Sequence, residues 1–313
     1  VLKLVLSRLL TAIPVMLVVA TLIFLILYIT PGDPAHILAG DFASPAVIEA
    51  TRVRLGLDQS IFVRYYVFIS GLLQGDFGHS IFSGKSVLEL MAQRAEPTIA
   101  LTILAMAVSL PISVVVGVIA AKHPNGFFDR ALMAVSALGF SVPAFVLAFF
   151  LVYTLSLSTG LLPVQGYVPP RDGILPFLSH LVLPTITVAA FTIALLARIT
   201  RSSMLDVLGE DYVKTARAKG AAETAVLFRH ALPNASIPII TVTGISTATL
   251  ITGVVVVETI YNIPGLGSLI MGAIQQRDYP LIQGITLVFS LVYILINLIV
   301  DVVCAMVDPR IRY

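Results

Sequence analysis

Six stretches of the chain stay apolar for the length of a membrane crossing, near residues 9–29, 98–121, 131–157, 181–198, 236–257 and 281–303. An α-helix rises about 1.5 Å per residue, so about 20 such residues cross the hydrocarbon core. The runs are continuously apolar and do not alternate, which predicts helices and excludes the strands of a β-barrel. The fold expected is an all-α polytopic membrane protein with six transmembrane helices. Three segments follow from the pattern: 1–30, the N-terminus and first transmembrane helix; 31–97, a long external loop with short helices; and 98–313, a five-helix transmembrane core that includes a polar loop at 203–235. In the long loop, Ser44-Pro45 opens a short helix ending at Gly56. A second runs to Gly75 with Ile61, Phe62, Tyr65, Tyr66, Ile69, Leu72 and Leu73 on one face. That face needs an apolar surface: the membrane interface, the outer mouth of the spans, or an external partner.

Composition agrees with the pattern. The 313 residues are 58% hydrophobic and 12% charged, with a mean hydropathy of +1.00; a soluble domain carries about 25% charged residues. The net charge of +2 matters less than where the charges fall. An even number of spans puts both termini on one side. If that side is the cytoplasm, Lys3, Arg8, Lys122, Arg130, Arg198, Arg201, Lys214, Arg217, Lys219, Arg229, Arg310 and Arg312 lie inside, and only Arg171 and Arg277 lie in the two short outer loops. The positive-inside rule therefore predicts cytoplasmic termini and a cytoplasmic 211–235. The first apolar run exceeds the h-region of a cleaved signal, about 7–15 residues, and no small-residue cleavage site follows it. Cys304, the single cysteine, reads as a small buried hydrophobe.

Pro14, Pro111, Pro143, Pro184 and Pro238 lie within or beside spans, either as kinks around a path or as ordinary helix geometry. Gly244, Ala248 and Thr252 make a small-residue face suited to close helix packing, within the chain or with a partner.

Chemistry-bearing motifs are few. "GHSIFSGKS" (78–86) has five residues between its glycines where a phosphate-binding loop needs four, and no strand precedes it. His36, His79, His123, His180 and His230 are scattered without metal-ligand spacing, and no G-x-S-x-G is present. Two acids sit where acids are expensive: Asp301 near the inner end of the sixth span and Glu258 at the outer end of the fifth. Both lie near interfaces, where water or a basic group can satisfy them, and neither suits a midplane proton relay.

The polar segment "DYVKTARAKGAAETAVLFRHALPNA" (211–235) separates two apolar runs. Glu210 and Asp211 open a helix that Arg217 and Lys219 close, complementing the helix dipole. Glu210 and Lys214 stand at i,i+4, the spacing of a surface ion pair. Gly220 permits a left-handed stop. Glu223 then starts a second short helix, which Pro233 is expected to terminate. Ala216, Ala218, Ala221 and Ala222 surround the bend, small enough to enter a groove on another protein; the bland alternative is a solvated loop.

Spacing then brings a resemblance. Lys214-Thr215-Ala216, three residues, Gly220, nine residues, His230, one residue and Leu232-Pro233 is similar to the cytoplasmic "EAA" loop of ABC-importer permeases. The leading glutamate is absent and His230 stands where isoleucine is usual, both resembling the dipeptide/oligopeptide/nickel branch. "TPGDP" (30–34), "LGLDQSIFVRYY" (55–66), "GDFGHS" (75–80), "SVPAF" (141–145), "LARITRSSML" (196–205), "VETIYNIPGLG" (257–267), "RDYPLIQG" (277–284) and "DPRIR" (308–312) extend it nearly end to end. The long first loop resembles the B-type subunit of the permease pair.

The resemblance implies a type I ABC-importer permease architecture in a bacterial inner membrane. Its partners would be a second homologous permease, two cytoplasmic ATPases and an extracytoplasmic substrate-binding protein. ATP and Mg would be bound by the ATPases, with no cofactor in this chain and no enzymatic activity of its own. It implies that Asp211, Tyr212, Lys214, Thr215, Ala216, Arg217, Ala218, Lys219, Gly220, Arg229 and His230 form the ATPase-docking surface, with 203–235 as the coupling loop. The branch handles dipeptides, longer peptides, glutathione, opines or nickel. The rivals are an ion- or proton-driven secondary transporter acting as a homo-oligomer, which needs no docking loop, and an intramembrane enzyme, which lacks a catalytic cluster here.

Overall fold

The computed structural model describes residues 2–29, 33–40, 42–54 and 56–307. The terminal "DPRIR" with Arg310 and Arg312, the first part of "TPGDP" and Leu55 lie outside the described residues. The described chain is helical, with one isolated antiparallel bridge between His79 and Ser86.

The first apolar run forms α1 (Leu2–Ile29), and the long loop holds α2 (Pro34–Ala39), α3 (Pro45–Arg54) and α4 (Ile61–Leu73). Next come α5 (Val87–Lys122), α6 (Phe127–Ser141), α7 (Ala144–Leu151) and α8 (Ile174–Leu208). The polar segment supplies α9 (Asp211–Ala218) and the single turn α10 (Glu223–Ala225). The last third folds as α11 (Leu232–Gly253), α12 (Val255–Ile260), α13 (Leu266–Gln276) and α14 (Tyr279–Val307). Among the described residues, five helical segments are long and apolar enough to cross a membrane, six when the bent α6–α7 pair is taken as one span.

In that pair Pro143 takes the kinked of its two readings. The two halves meet at 99°. Pro143 has no N–H to give the helix and forces the residue before it out of the α region, and Val142 is extended at φ −88°, ψ 116°. Pro14, Pro111, Pro184 and Pro238 stay inside continuous helices.

α5 and α8 lie along each other at the centre, α11 packs on α8 and α14, and α1 packs on α14. Gly244 sets the spacing of α11 and α14: a Cβ there would sit 2.0 Å from a Val300 methyl. The small-residue face is thus an interface within the chain at Gly244 and Ala248, while Thr252 is exposed.

Several charges of the spanning helices have partners. Arg8 pairs with Asp301 at 2.8 Å, which puts the start of α1 and the finish of α14 at the same end of the bundle. Arg201 of α8 grips buried Asp129 of α6 through two hydrogen bonds, and the Asn125 N–H donates to the same carboxylate at 2.7 Å. At the opposite end, the Glu258 side chain is wholly buried, accepting from the Thr98 hydroxyl (2.5 Å) and the Ser268 N–H (2.9 Å). The Thr98 oxygen accepts from the Leu266 N–H at 2.8 Å, so helix α5 and the first turn of α13 share one polar joint. Gly265 is required beside it, since a Cβ would lie 2.2 Å from a Glu258 oxygen. Tyr261, also buried, meets the Thr187 hydroxyl at 2.9 Å, tying α12's exit to α8. Asp301 thus has the basic partner its interfacial position suggested, while Glu258 is held by a hydroxyl and a backbone N–H away from water.

"GHSIFSGKS" also has a structural use. The loop folds over buried Asp278, which accepts from the Ser80 hydroxyl (2.5 Å) and the Ile81 N–H (3.2 Å). The helix at 61–73 divides its apolar positions more finely than periodicity indicates. Ile69 and Leu72, with Phe68, pack against Ala20, Ile23 and Leu287. Tyr65 hydrogen-bonds Thr21 at 2.7 Å, whereas Phe62, Tyr66 and Leu73 are exposed.

Replacing Gly244 with leucine must push α11 off α14, an overpacking cost of about 1–3 kcal/mol. The thermal midpoint of G244L in mild detergent is expected to fall clearly. Gly253→Ala meets no atom within 4 Å and is expected to hold or raise the midpoint.

Candidate docking loop

The loop after α8 begins with Glu210, whose backbone is extended (φ −70°, ψ 148°) and whose carbonyl accepts the Val213 N–H at 3.1 Å. Because Glu210 stands outside the helix, it is not placed to pair with Lys214 as its spacing suggested. Lys214 pairs instead with Asp211 at 2.8 Å, three residues away. Val213, the one apolar residue of α9 with no exposed surface, anchors the helix on α8 and the turn that follows α10.

The end of α9 is a Schellman stop. Gly220 donates to the Arg217 carbonyl (2.9 Å) and Ala221 to the Ala216 carbonyl (3.2 Å), satisfying two carbonyls the helix leaves open. Gly220 takes φ +80°, where any Cβ is strained. Across the bend, Arg217 holds both Glu223 carboxylate oxygens, Nη2 donating at 2.8 Å and Nε at 3.2 Å. Ala218, Lys219, Gly220 and Ala222 form the exposed tip, and Ala216 and Ala221 are half-buried beneath it.

The second half departs from expectation at Pro233, which does not end a helix. Residues 226–231 form a π-turn that runs into α11, with Pro233 in its first turn. Pro233 falls where the π-turn passes into α11, and the wider turn lets the helix run on past it. Glu223–Ile260 is in consequence one 38-residue helical segment. Arg229 and His230 lie on the π-turn, and the His230 carbonyl reaches α9 through a polar link: Asn234 Nδ2 donates to the Tyr212 hydroxyl (2.8 Å) and to the His230 carbonyl (3.1 Å). Thr215 turns inward on its own helix, donating to the Asp211 carbonyl at 2.9 Å.

The structure thus collects Asp211, Tyr212, Lys214, Thr215, Ala216, Arg217, Ala218, Lys219 and Gly220 on one helix and its stop, with Arg229 and His230 linked behind. It adds Val213, Glu223 and Asn234, which the sequence reading left without a role in the surface. Glu223, on the far side of the bend from Arg217, was the available signal for the clamp. Lys219 and Arg229 make no ion pair among the described residues, so the exposed surface is net basic. Beneath the loop, Val118, Ala121, Met204, Leu227, Ala231 and Ala235 form an apolar cluster joining the ends of α5 and α8 to the start of α11. The bend is built on the bundle, not hung from it.

Val213→Ala removes part of a buried anchor worth about 1–2 kcal/mol, a factor of about 5–30 in local opening. Limited trypsin cleavage at Lys214, Arg217 and Lys219 is expected to accelerate by that factor while overall thermal stability changes little. Unchanged cleavage rejects the anchoring role.

Comparison with known proteins places this geometry. The model of the binding-protein-dependent transport system inner membrane component family matches residues 113–313, and the model for the N-terminal part of such components matches 1–102. A probable peptide ABC transporter permease of Sinorhizobium fredii is 49% identical over 309 residues, covering 99% of each chain. A putative peptide transport system permease of Brucella abortus is 44% identical over 310 residues, again covering 99% of each. The glutathione transport system permease GsiC of Escherichia coli K12 is 43% identical over 309 residues, 99% of this chain and 98% of its own. Among solved structures, the MetNI methionine ABC transporter in an inward-facing conformation aligns with a TM-score of 0.57 at 17% identity, over 71% of this chain and 97% of its own, a likeness of fold.

Proposed function

The chain belongs to the family of binding-protein-dependent transport system inner membrane components, and from that footing we propose that it is the B-type member of a permease pair in an ATP-driven importer of peptides or related small solutes. It is a multi-pass inner-membrane permease of the ABC-importer type. In the proposed assembly it lines the path with a second homologous permease. Two cytoplasmic ATPases bind ATP and Mg, and an extracytoplasmic binding protein delivers the solute. Both termini and the loop at 211–235 face the cytoplasm. Relatives named for peptide and glutathione transport support a short-peptide substrate class.

The observation that carries the docking role is the rigid bend: a helix stopped at Gly220, clamped by Arg217–Glu223 and presenting small and basic residues at its tip. A small-residue tip enters a cleft, and a clamped one transmits force without folding away. ATP closes the ATPase pair, the bends of the two permeases approach, and the spans turn outward; hydrolysis reopens the inside. A homo-oligomeric ion- or proton-driven carrier has less support, because Asp129, Glu258 and Asp301 are each committed to fixed partners near the ends of spans.

Ala218→Arg places a long cation on the exposed tip without touching the Schellman bonds. Peptide uptake into proteoliposomes holding the whole importer, with ATP supplied on the ATPase side, is expected to fall by about tenfold or more at unchanged membrane insertion, the effect of losing one central contact. Normal uptake by A218R excludes docking through this tip, and uptake by the chain alone without ATP excludes the importer reading. Orientation has its own check. In a Cys304→Ser background, exposed Ser83→Cys is expected to react with an impermeant maleimide added outside intact cells; labelling only after lysis reverses the topology.

A further inference from the structure

Helix α4 is apolar, but its 13 residues make a rod about 20 Å long, too short to cross a hydrocarbon core of about 30 Å. Its sides face three ways. Tyr65, Phe68, Ile69 and Leu72 turn to α1 and α14: Tyr65 hydrogen-bonds Thr21, and the Tyr65 and Phe68 rings lie against Phe24 at centroid distances of 5.2 and 5.6 Å. Val63 and Val67 turn to a half-open cavity of about 880 Å³, whose wall runs from Phe24 to Gln283. The third side carries Phe62, Tyr66 and Leu73, which are 82%, 73% and 85% exposed and share one face at helical spacing. The described residues leave that face open.

The level at which α4 docks decides what covers it. The apolar run of α1 ends at Ile29, and that of α14 starts at Leu281. Thr21 lies eight residues from the first of these ends and Leu287 six from the second. At 1.5 Å per residue, α4 therefore rests about 9–12 Å inside the apolar layer. Val18 and Leu25, one turn to either side of Thr21 on α1, are exposed as well, so the open face of α4 continues the surface through which α1 meets lipid. Both flanks of the helix are polar and exposed: Asp58, Gln59 and Ser60 before it, Gln74 and Asp76 after it. The chain thus enters and leaves this level from the headgroup side, and Tyr66 is a residue type enriched at that boundary.

We infer that α4 is embedded in the membrane leaflet at the end of the bundle away from the docking loop, with Phe62, Tyr66 and Leu73 among the lipid acyl chains. The occupant of the face is lipid and not a protein partner, because the face is a narrow apolar strip continuous with the lipid-facing side of α1. The inference rests on the spans and not on the importer proposed above.

The chain has no tryptophan, so Tyr66→Trp gives it a single one. The full chain is placed in nanodiscs of phosphatidylcholine with plain or brominated acyl chains. Emission of the variant is expected to fall about twofold in the brominated lipid, with one side of the indole on the acyl chains and the other on the helix, and to respond little to acrylamide in the water. Leu73→Trp, exposed at the other end of the helix, repeats the reading if Tyr66→Trp folds poorly. In the whole importer, benzoylphenylalanine in place of Phe62 is expected on irradiation to form an adduct with phospholipid. Emission indifferent to bromination overturns the inference. So does the absence of a lipid adduct at position 62, and a cross-link there to another subunit assigns the face to that partner. The fluorescence reading needs no partner, so it stands or falls apart from the importer.

Discussion

The hydrocarbon core contains no water to complete a polar group's hydrogen bonds, so each charge in a span must find its partner within the protein. That constraint shapes this bundle more than apolar packing does, because lipid is as apolar as leucine and gives helices little reason to associate. Arg201 joins α8 to Asp129 of α6, and Arg8 joins α1 to Asp301 of α14. Glu258 joins α12 to Thr98 of α5 and to the first turn of α13. Each polar joint crosses between elements far apart in sequence and fixes their relative position. Close contacts such as Gly244 on Val300 then fill the space between.

The loop at 211–235 follows a different logic, because most of its polar side chains are exposed. Its stiffness comes from local devices: a Schellman stop, a two-pronged ion pair and one buried valine. Exposed ion pairs contribute little to stability, typically about 0–1 kcal/mol, so the value of Arg217–Glu223 lies in restricting the bend's shape. The Tyr212–Asn234–His230 link extends that restriction into the start of α11.

Much of this was legible in the sequence, and the failures share a cause. The six apolar runs, the helix at 211–218 and its stop at Gly220 follow from local periodicity and from conformational preference. Lys214 chose Asp211 over Glu210 because the cap residue leaves helical geometry, which spacing alone does not reveal. Pro233 was expected to break a helix, and the π-turn ahead of it absorbed the missing N–H. Pro143 did break its span, so the same residue type gave opposite results according to its place in the helix. The Glu258 joint and the cavity were beyond reach, since their parts lie 160 residues apart in the first case and between Phe24 and Gln283 in the second.

The helical segment from Glu223 to Ile260, though it contains a π-turn at 226–231 and a turn at Val254, has the proportions of a lever. Thirty-eight residues at about 1.5 Å each span roughly 57 Å. If the rod pivots near its loop end, a tilt of only about 5° sweeps the other end through about 5 Å, by the same helical geometry. Glu258 sits at that far end, bound to α5 and α13. On such a pivot a small displacement at the loop end would be largest at the Glu258 joint, where the long loop and the span ends meet.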